Sequence, residues 1–340
     1  MALVLLGVLA AALLAGCSKP APEVTSAWPV ANSERTVPKP PEPVRWPYTG
    51  KEAAKSTDIR QRPLSIKIEN SAASRPQTGI GSADVVYETI SEGGITRFNC
   101  IFHSNVPSRV GPVRSARLSD LWVVSQYDAL FLYSGASSSV NSRIGDAKLP
   151  VLSHDREGEG ALYSRSSARS APHNLYLDTT KAEAAAKARG YKTQVDLEPL
   201  QFEKRSTEAT SPIEEITIPF SPANTVRWDW DEGAYARYNN GRAHMDEGLG
   251  KQVTADNVVV MWAKYEPVSR DKVGSTTFNI VLGGKGRVSV FREGQRFDGT
   301  WYAERDAPPV FKDADGRPIR LAQGRTWFQV IPLNGSITMK

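Results

Sequence analysis

The chain is poor in the residues that most often announce a function. It has two cysteines in 340 residues, Cys17 and Cys100, so neither a disulfide framework nor a Cys-x-x-Cys metal or redox pair can be built. Four histidines (His103, His154, His173, His244) are scattered without metal-ligand spacing, and no metal is expected. Gly-x-x-x-x-Gly-Lys, His-Glu-x-x-His and Gly-x-Ser-x-Gly are all absent, which takes support from nucleotide-binding, zinc-protease and hydrolase readings and leaves no cofactor to expect. The 42 basic and 37 acidic residues give a net charge of +5 but are interleaved. Without a dense basic block, nucleic acid is not an implied partner. The composition sets no oligomeric state.

One apolar run stands out, residues 2–16 (ALVLLGVLAAALLAG). It is short for a membrane span but suits the apolar region of a signal peptide. It ends Leu14-Ala15-Gly16-Cys17, which resembles the bacterial lipobox, where small residues precede a cysteine whose thiol is acylated. The expectation is a signal peptide at 1–16, a lipid on Cys17, and a protein tied to the outer face of the cell membrane. Two or three acyl chains, at about 0.8 kcal/mol per buried methylene, hold such a protein durably. Residues 17–61 are rich in proline and short of aliphatic side chains, so they read as a tether. Within it Trp46-Pro47-Tyr48 is apolar enough to dock on the folded part.

From Arg62 onward strands and helices are mixed. Leu64 to Ile68 alternates apolar and polar residues. Two further strand-like runs, Ala83 to Ser91 and Ile95 to His103, flank Glu92-Gly93-Gly94. Taking Gly93-Gly94 as a two-residue hairpin loop pairs Glu92 with Ile95. That register puts Val85, Tyr87, Thr89, Phe98, Cys100 and Phe102 on one face and Val86, Glu88, Ile90, Glu92, Arg97, Asn99 and Ile101 on the other. Cys100 then reads as a packing thiol. The spacing of Leu118, Leu121, Trp122 and Ser125 predicts a helix from about Ser115 to Asp128, and Lys181 to Arg189 predicts another, capped by Asp178-Thr179-Thr180 and stopped by Gly190. After a polar stretch near residue 208, short strands follow one another between turn signals such as Asp231-Glu232-Gly233, Asn239-Asn240-Gly241, Gly283-Gly284, Arg292-Glu293-Gly294 and Asp315-Gly316. The fold class read from this order is α+β: a mixed α/β domain at 62–207, then a mostly antiparallel β domain at 208–340. Trp228, Trp230, Trp262, Trp301 and Trp327 lie in the second, as core or as a platform for sugar rings.

Arg114 and Arg117, flanking Ser115 at the expected helix start, would oppose the positive end of the helix dipole. Compensation would come either from an anionic ligand or from an internal network with Glu88, Glu92 and Arg97. The candidate ligand-binding set is Arg97, Arg114, Ser115, Arg117 and Asn174. The candidate acid–base set is Glu88, Glu92 and His173, the histidine lying with Asn174 in Pro172-His173-Asn174-Leu175-Tyr176.

The segments RPLSIKIENS, RPQTGIGSADVVYE, EGGITRF, GPVRSARLSDL, PHNLY, NVVVMW and GRTWFQVIP resemble the YerB-like lipoprotein family. That resemblance implies two consecutive domains of unknown function behind a lipidated tether, and it carries no established site. The expected function is a membrane-anchored envelope lipoprotein that binds an anionic partner, peptidoglycan or an anionic wall polymer, or acts as a scaffold. The alternative is a cell-wall hydrolase or transferase working through its carboxylates and His173.

Overall fold

The computed structural model describes residues 42–156, 158–203, 213–270 and 276–340. The expected signal peptide, Cys17 and the tether up to residue 41 lie outside the described residues, as does most of the polar stretch around 208. The first half contributes β1 (Leu64–Glu69), β2 (Val85–Ile90), β3 (Thr96–Phe102), helix α1 (Asp120–Gln126), β4 (Leu130–Tyr133), α2 (Ser138–Asp146), β5 (Val151–Ser153) and α3 (Ala182–Ala188). The second half is strand after strand: β6 (Glu215–Ser221), β7 (Asn224–Asp231), β8 (Ala234–Asn239), β9 (Arg242–Ala243), β10 (Asn257–Arg270), β11 (Thr276–Val281), β12 (Gly284–Arg292), β13 (Gln295–Ala303), β14 (Val310–Lys312), β15 (Thr326–Pro332) and β16 (Thr338–Met339).

These strands form an eleven-stranded mixed sheet, ordered β14-β13-β12-β10-β15-β2-β3-β1-β4-β5 with β11 on β10, and a second, antiparallel sheet, β9-β8-β7-β6-β16, with Thr254–Ala255 added to β8. The fold is α+β. The large sheet draws on both halves of the sequence, because β15 runs parallel to β2 from Val85↔Thr326 to Glu88↔Gln329. The halves expected as two domains thus share a backbone ladder, and Pro43–Lys340 is one compact unit. That unit begins before Arg62. Tyr48 is buried, its hydroxyl donating to the Tyr127 carbonyl at 3.2 Å, and Trp46 meets His103 edge-on at 4.9 Å. Tethers do not bury aromatic surface, so the docking expected of Trp46 and Tyr48 extends the folded part to Pro43.

The centre of the large sheet is covered on both sides. The second sheet packs Ile216, Ile218 and Trp228 against Ile66, Phe98 and Cys100. On the opposite face α1 lays Val123 and Tyr127 over Val85, Tyr87 and Ile101. Trp228, Trp262, Trp301 and Trp327 are all buried, so they are core side chains and not a sugar platform.

Hairpin chemistry explains where the expected register holds and where it fails. Glu232-Gly233, Asn240-Gly241 and Glu293-Gly294 each have positive φ at both residues and close two-residue loops, as the twist of antiparallel strands favours. The β2–β3 loop has one residue more. Ser91 N–H donates to the Ile95 carbonyl at 2.7 Å, leaving Glu92, Gly93 and Gly94 in the loop. The pairing is therefore Val86↔Cys100 and Glu88↔Phe98, one residue from the expected register. Val85, Tyr87, Arg97, Asn99 and Ile101 share the face under α1, while Val86, Glu88, Phe98 and Cys100 face the second sheet.

Helix α1 also starts later than expected. Residues leading into it stay extended, with Arg114 N–H donating to Lys67 O at 2.9 Å and Ala116 N–H to Gly135 O at 2.9 Å. The turn forms only where the Asp120 carboxylate takes the Arg117 N–H at 2.7 Å. Arg114 and Arg117 lie on the approach to the helix, so the helix dipole does not account for them.

Candidate anion-binding site

Because β1 alternates, Ser65, Lys67 and Glu69 point to the α1 side, level with Ile101, Asn99 and Arg97 of β3. Burial of so many polar groups requires partners. Lys67 Nζ reaches Asp120 Oδ1 at 2.7 Å, Asn99 Nδ2 donates to the same oxygen at 3.1 Å, and Ser65 Oγ donates to Asn99 Oδ1 at 2.7 Å. Burial pushes the Lys67 pKa down, and the Asp120 carboxylate opposes that shift.

Beyond this sealed part the strip reaches solvent. The buried Glu69 carboxylate accepts from Ser71 Oγ at 2.8 Å, meets His173 Nδ1 at 2.8 Å, and has Arg114 Nε at 3.3 Å. Beside it Arg117 grips Glu92 with both arms of its guanidinium, Nε to Oε1 at 2.5 Å and Nη2 to Oε2 at 2.7 Å, the bidentate geometry that makes such pairs strong. Arg97 Nη2 approaches Glu92 Oε2 at 3.4 Å. Burial would raise the Glu92 pKa, but Arg117 and then Arg97 override it and hold the carboxyl far below its usual range. Arg97 is buried, and its Nε and Nη1 have no hydrogen-bond partner among the described residues. Burial and the nearby Arg117 lower its pKa to about 10, which leaves it charged at neutral pH. Three guanidinium groups thus share two carboxylates, those of Glu69 and Glu92. Arg114, Arg117 and Glu92 are each about 20% exposed at the side chain and His173 28%.

Of the residues singled out from sequence, Arg97, Arg114, Arg117, Glu92 and His173 come together here. Ser115 contributes its carbonyl, to Arg117 Nη1 at 3.4 Å. Asn174 does not join them: its Nδ2 donates to the Ser166 and Arg169 carbonyls, both at 2.9 Å, and its Oδ1 accepts from Arg165 at 2.9 Å, so it braces its own loop. Glu88 is on the other face, fully buried, where Arg237 Nη2 reaches both its oxygens at 2.9 and 2.8 Å and Thr96 Oγ1 donates at 2.6 Å. Arg237 in turn donates to His244 Nδ1 at 2.5 Å, and His244 Nε2 meets Gln77 Oε1 at 2.6 Å. Burial, then Arg237 and Arg75, hold the His244 pKa well down. The neutral ring must carry its proton on Nε2, since Arg237 can only donate. Glu69 and Arg237, the hubs of the two networks, were not anticipated. The sequence signal was a charge within each strand run, Glu69 at the end of Leu64–Glu69 and Arg237 inside Ala234–Asn239.

Among the described residues there is no group of three or more His, Cys, Asp or Glu side chains placed to hold a metal, and no helix long and apolar enough to cross a membrane.

Two matches fix the family. Residues 48–192 match the family described as "Protein of unknown function (DUF3048) N-terminal domain", and residues 216–328 match its C-terminal domain. The chain belongs to the DUF3048, YerB-like family. A relative, "Putative lipoprotein YerB" of Bacillus subtilis (strain 168), is 28% identical over 301 residues, covering 87% of this chain and 88% of the relative. The crystal structure of the YerB protein from Bacillus subtilis superposes with a TM-score of 0.77 at 27% identity, over 87% of this chain and 99% of that one. The two DUF3048 matches leave 193–215 between them, which includes the polar stretch at 208. The described strands nonetheless pair across it.

Proposed function

We propose that this DUF3048 protein is a lipoprotein held on the outer face of a bacterial cell membrane through acylated Cys17, and that its Arg97–Arg114–Arg117 cluster binds an anionic group of the envelope. The group would be a carboxylate of peptidoglycan peptides or a phosphate of a wall polymer, both oxyanions that guanidinium forks accommodate. The lipobox-like Leu14-Ala15-Gly16-Cys17 and the lipoprotein description of the YerB relative support the anchor. The observation that carries the ligand reading is the surplus of guanidinium groups at a solvent-reaching spot, with buried Arg97 short of partners.

The hydrolase reading needs a carboxylic acid with a raised pKa opposite a second carboxylate. Glu88 and Glu92 do not form such a pair: Glu88 is sealed against Arg237 on the far face, and the arginines depress the Glu92 pKa.

The test is retention of the full-length protein, in detergent, on purified cell walls across a salt series. Retention should weaken as salt rises. Arg114→Gln, which removes the cation 3.3 Å from Glu69 but leaves Ser71 and His173 on that carboxylate, should cut retention several-fold with a smaller loss of stability than a variant that strands a sealed carboxylate. Unaltered retention would reject the site. Separately, Cys17→Ala should abolish incorporation of labelled fatty acid, and persistent labelling would reject the anchor.

A further inference from the structure

A cavity of about 480 Å³ opens between residues 72–76 and the β8–β9 hairpin. Arg75 lies on one wall, Asn240 and Arg242 on the other, and Asn239 and His244 form the floor; among the described residues no carboxylate lines it. Most of the fixed polar groups here are already engaged. His244 uses both ring nitrogens, Asn239 accepts from Arg75 Nη1 and donates to Asn224 at 2.6 Å, and the Asn240 amide holds Thr225 N–H at 2.8 Å and the Ala223 carbonyl at 3.0 Å.

The guanidinium groups are different. Among the described residues Arg75 has neutral partners alone, Asn239 and the Ser71 carbonyl at 3.4 Å, and Arg242 is exposed. Burial lowers the Arg75 pKa, with Arg237 and Arg242 adding to the effect and Glu88 opposing it. That single carboxylate is already gripped by Arg237. A half-buried guanidinium without an anion is costly. An oxyanion in the cavity would relieve it. Arginines from opposite walls suit a tetrahedral group, which presents an oxygen to each, better than a planar carboxylate.

We infer that this cavity is a second anion site, taking the phosphate group of an ester or diester between Arg75 and Arg242. It does not depend on the Arg97–Arg114–Arg117 cluster, and either site can fail alone. The full-length protein carrying Arg114→Gln, which weakens the first cluster, is titrated in detergent with inorganic pyrophosphate by calorimetry at fixed ionic strength. Saturable binding is expected. Adding Arg242→Glu, a change at an exposed position that leaves the fold intact, should weaken it at least tenfold. Arg75→Lys, which keeps the charge and removes the fork, should weaken it less. Absence of saturable binding, or binding that Arg242→Glu leaves unchanged, overturns the inference.

Discussion

Glu88 and Glu92 belong to the same hairpin and both bind arginine, yet their surroundings differ in kind. Glu88 lies between two sheets, where Arg237, Thr96, His244 and Gln77 form a network closed to solvent. One carboxylate faces one guanidinium, and the histidine is neutral. Glu92 sits on the opposite side at the rim of the sheet, in a cluster where arginines outnumber carboxylates and where Arg114, Arg117 and Glu92 itself reach solvent while Arg97 and Glu69 are buried. A balanced, sealed pair holds two layers in a fixed relation; an unbalanced, accessible cluster can take up another anion. The comparison shows why an Arg–Glu contact alone says little about function, whereas charge balance and access together do.

The largest effect should come from breaking the sealed pair. Arg237→Ala leaves the Glu88 carboxylate buried without its cation, at a cost of about 3–5 kcal/mol, to be read from denaturant unfolding. Pairing Arg237→Met with Glu88→Gln should recover much of that loss, since no ion is then stranded. If the single variant were as stable as the parent, the network would not be closed and the contrast with Glu92 would fall.

Two buried groups for which no ion pair is found among the described residues sharpen the contrast. Asp84 accepts the His103 N–H at 2.8 Å and the Ser104 N–H at 2.6 Å, but burial outweighs these bonds and raises its pKa from 3.8 to about 6. Burial lowers the His103 pKa from 6.5 to about 4, against a weaker pull from the Gln61 backbone. The signs are opposite. Folding holds an extra proton on Asp84, so its contribution is complete below about pH 3.8 and is lost as pH rises through about 6. Folding excludes a proton from His103, so its contribution is complete above about pH 6.5 and is lost as pH falls through about 4. Each amounts to about 3 kcal/mol, and in the parent they nearly cancel. Relative to the parent between pH 4 and 6, the melting temperature of Asp84→Asn should climb with pH and that of His103→Gln should fall. Parallel curves would show that neither group is buried as described.

A smaller loss is expected at the open cluster. Arg117→Ala removes the bidentate partner of Glu92, but water can reach that carboxylate and Arg97 remains beside it. The cost should be about 1–3 kcal/mol, less than for Arg237→Ala, with wall retention reduced as well. A loss equal to that at Arg237 with retention unchanged would make the two networks equivalent and both structural.

Much of the fold could be read from sequence because local chemistry decided it. Glu232-Gly233, Asn240-Gly241 and Glu293-Gly294 placed hairpins of the second half, Asp178 capped the 3-10 turn Thr179–Lys181 that leads into α3, and Gly190 followed its end. The β2–β3 register could not be read this way. Both faces of that hairpin are covered, so alternation carries no inside-or-outside signal, and one extra loop residue decided the pairing. The candidate site was half legible. Arg114, Arg117 and Glu92 do meet, though in an extended segment and not at a helix start. Glu69 and Arg237 escaped because their partners, His173 and Glu88, are distant in the chain and adjacent only through sheet order.

Cys100 gives the finest test of that register. Its thiol is fully buried beside Val86 and Phe98 under the second sheet, and burial holds its pKa well above the usual value. The thiol form is unreactive, and the folded layers block approach. A maleimide reagent should therefore label it only when denaturant opens the contact between the sheets. Cys100→Ala should cost on the order of 1 kcal/mol for the small void it leaves, while Cys100→Ser should cost more by burying a hydroxyl among apolar neighbours. The useful variant is Arg237→Ala. If the Glu88–Arg237 pair fastens the second sheet over this face, labelling of Cys100 should quicken in that background at denaturant concentrations where the parent stays protected, and Arg117→Ala, on the other face, should leave the rate alone. Equal acceleration by both would mean that the two networks do not hold separate layers.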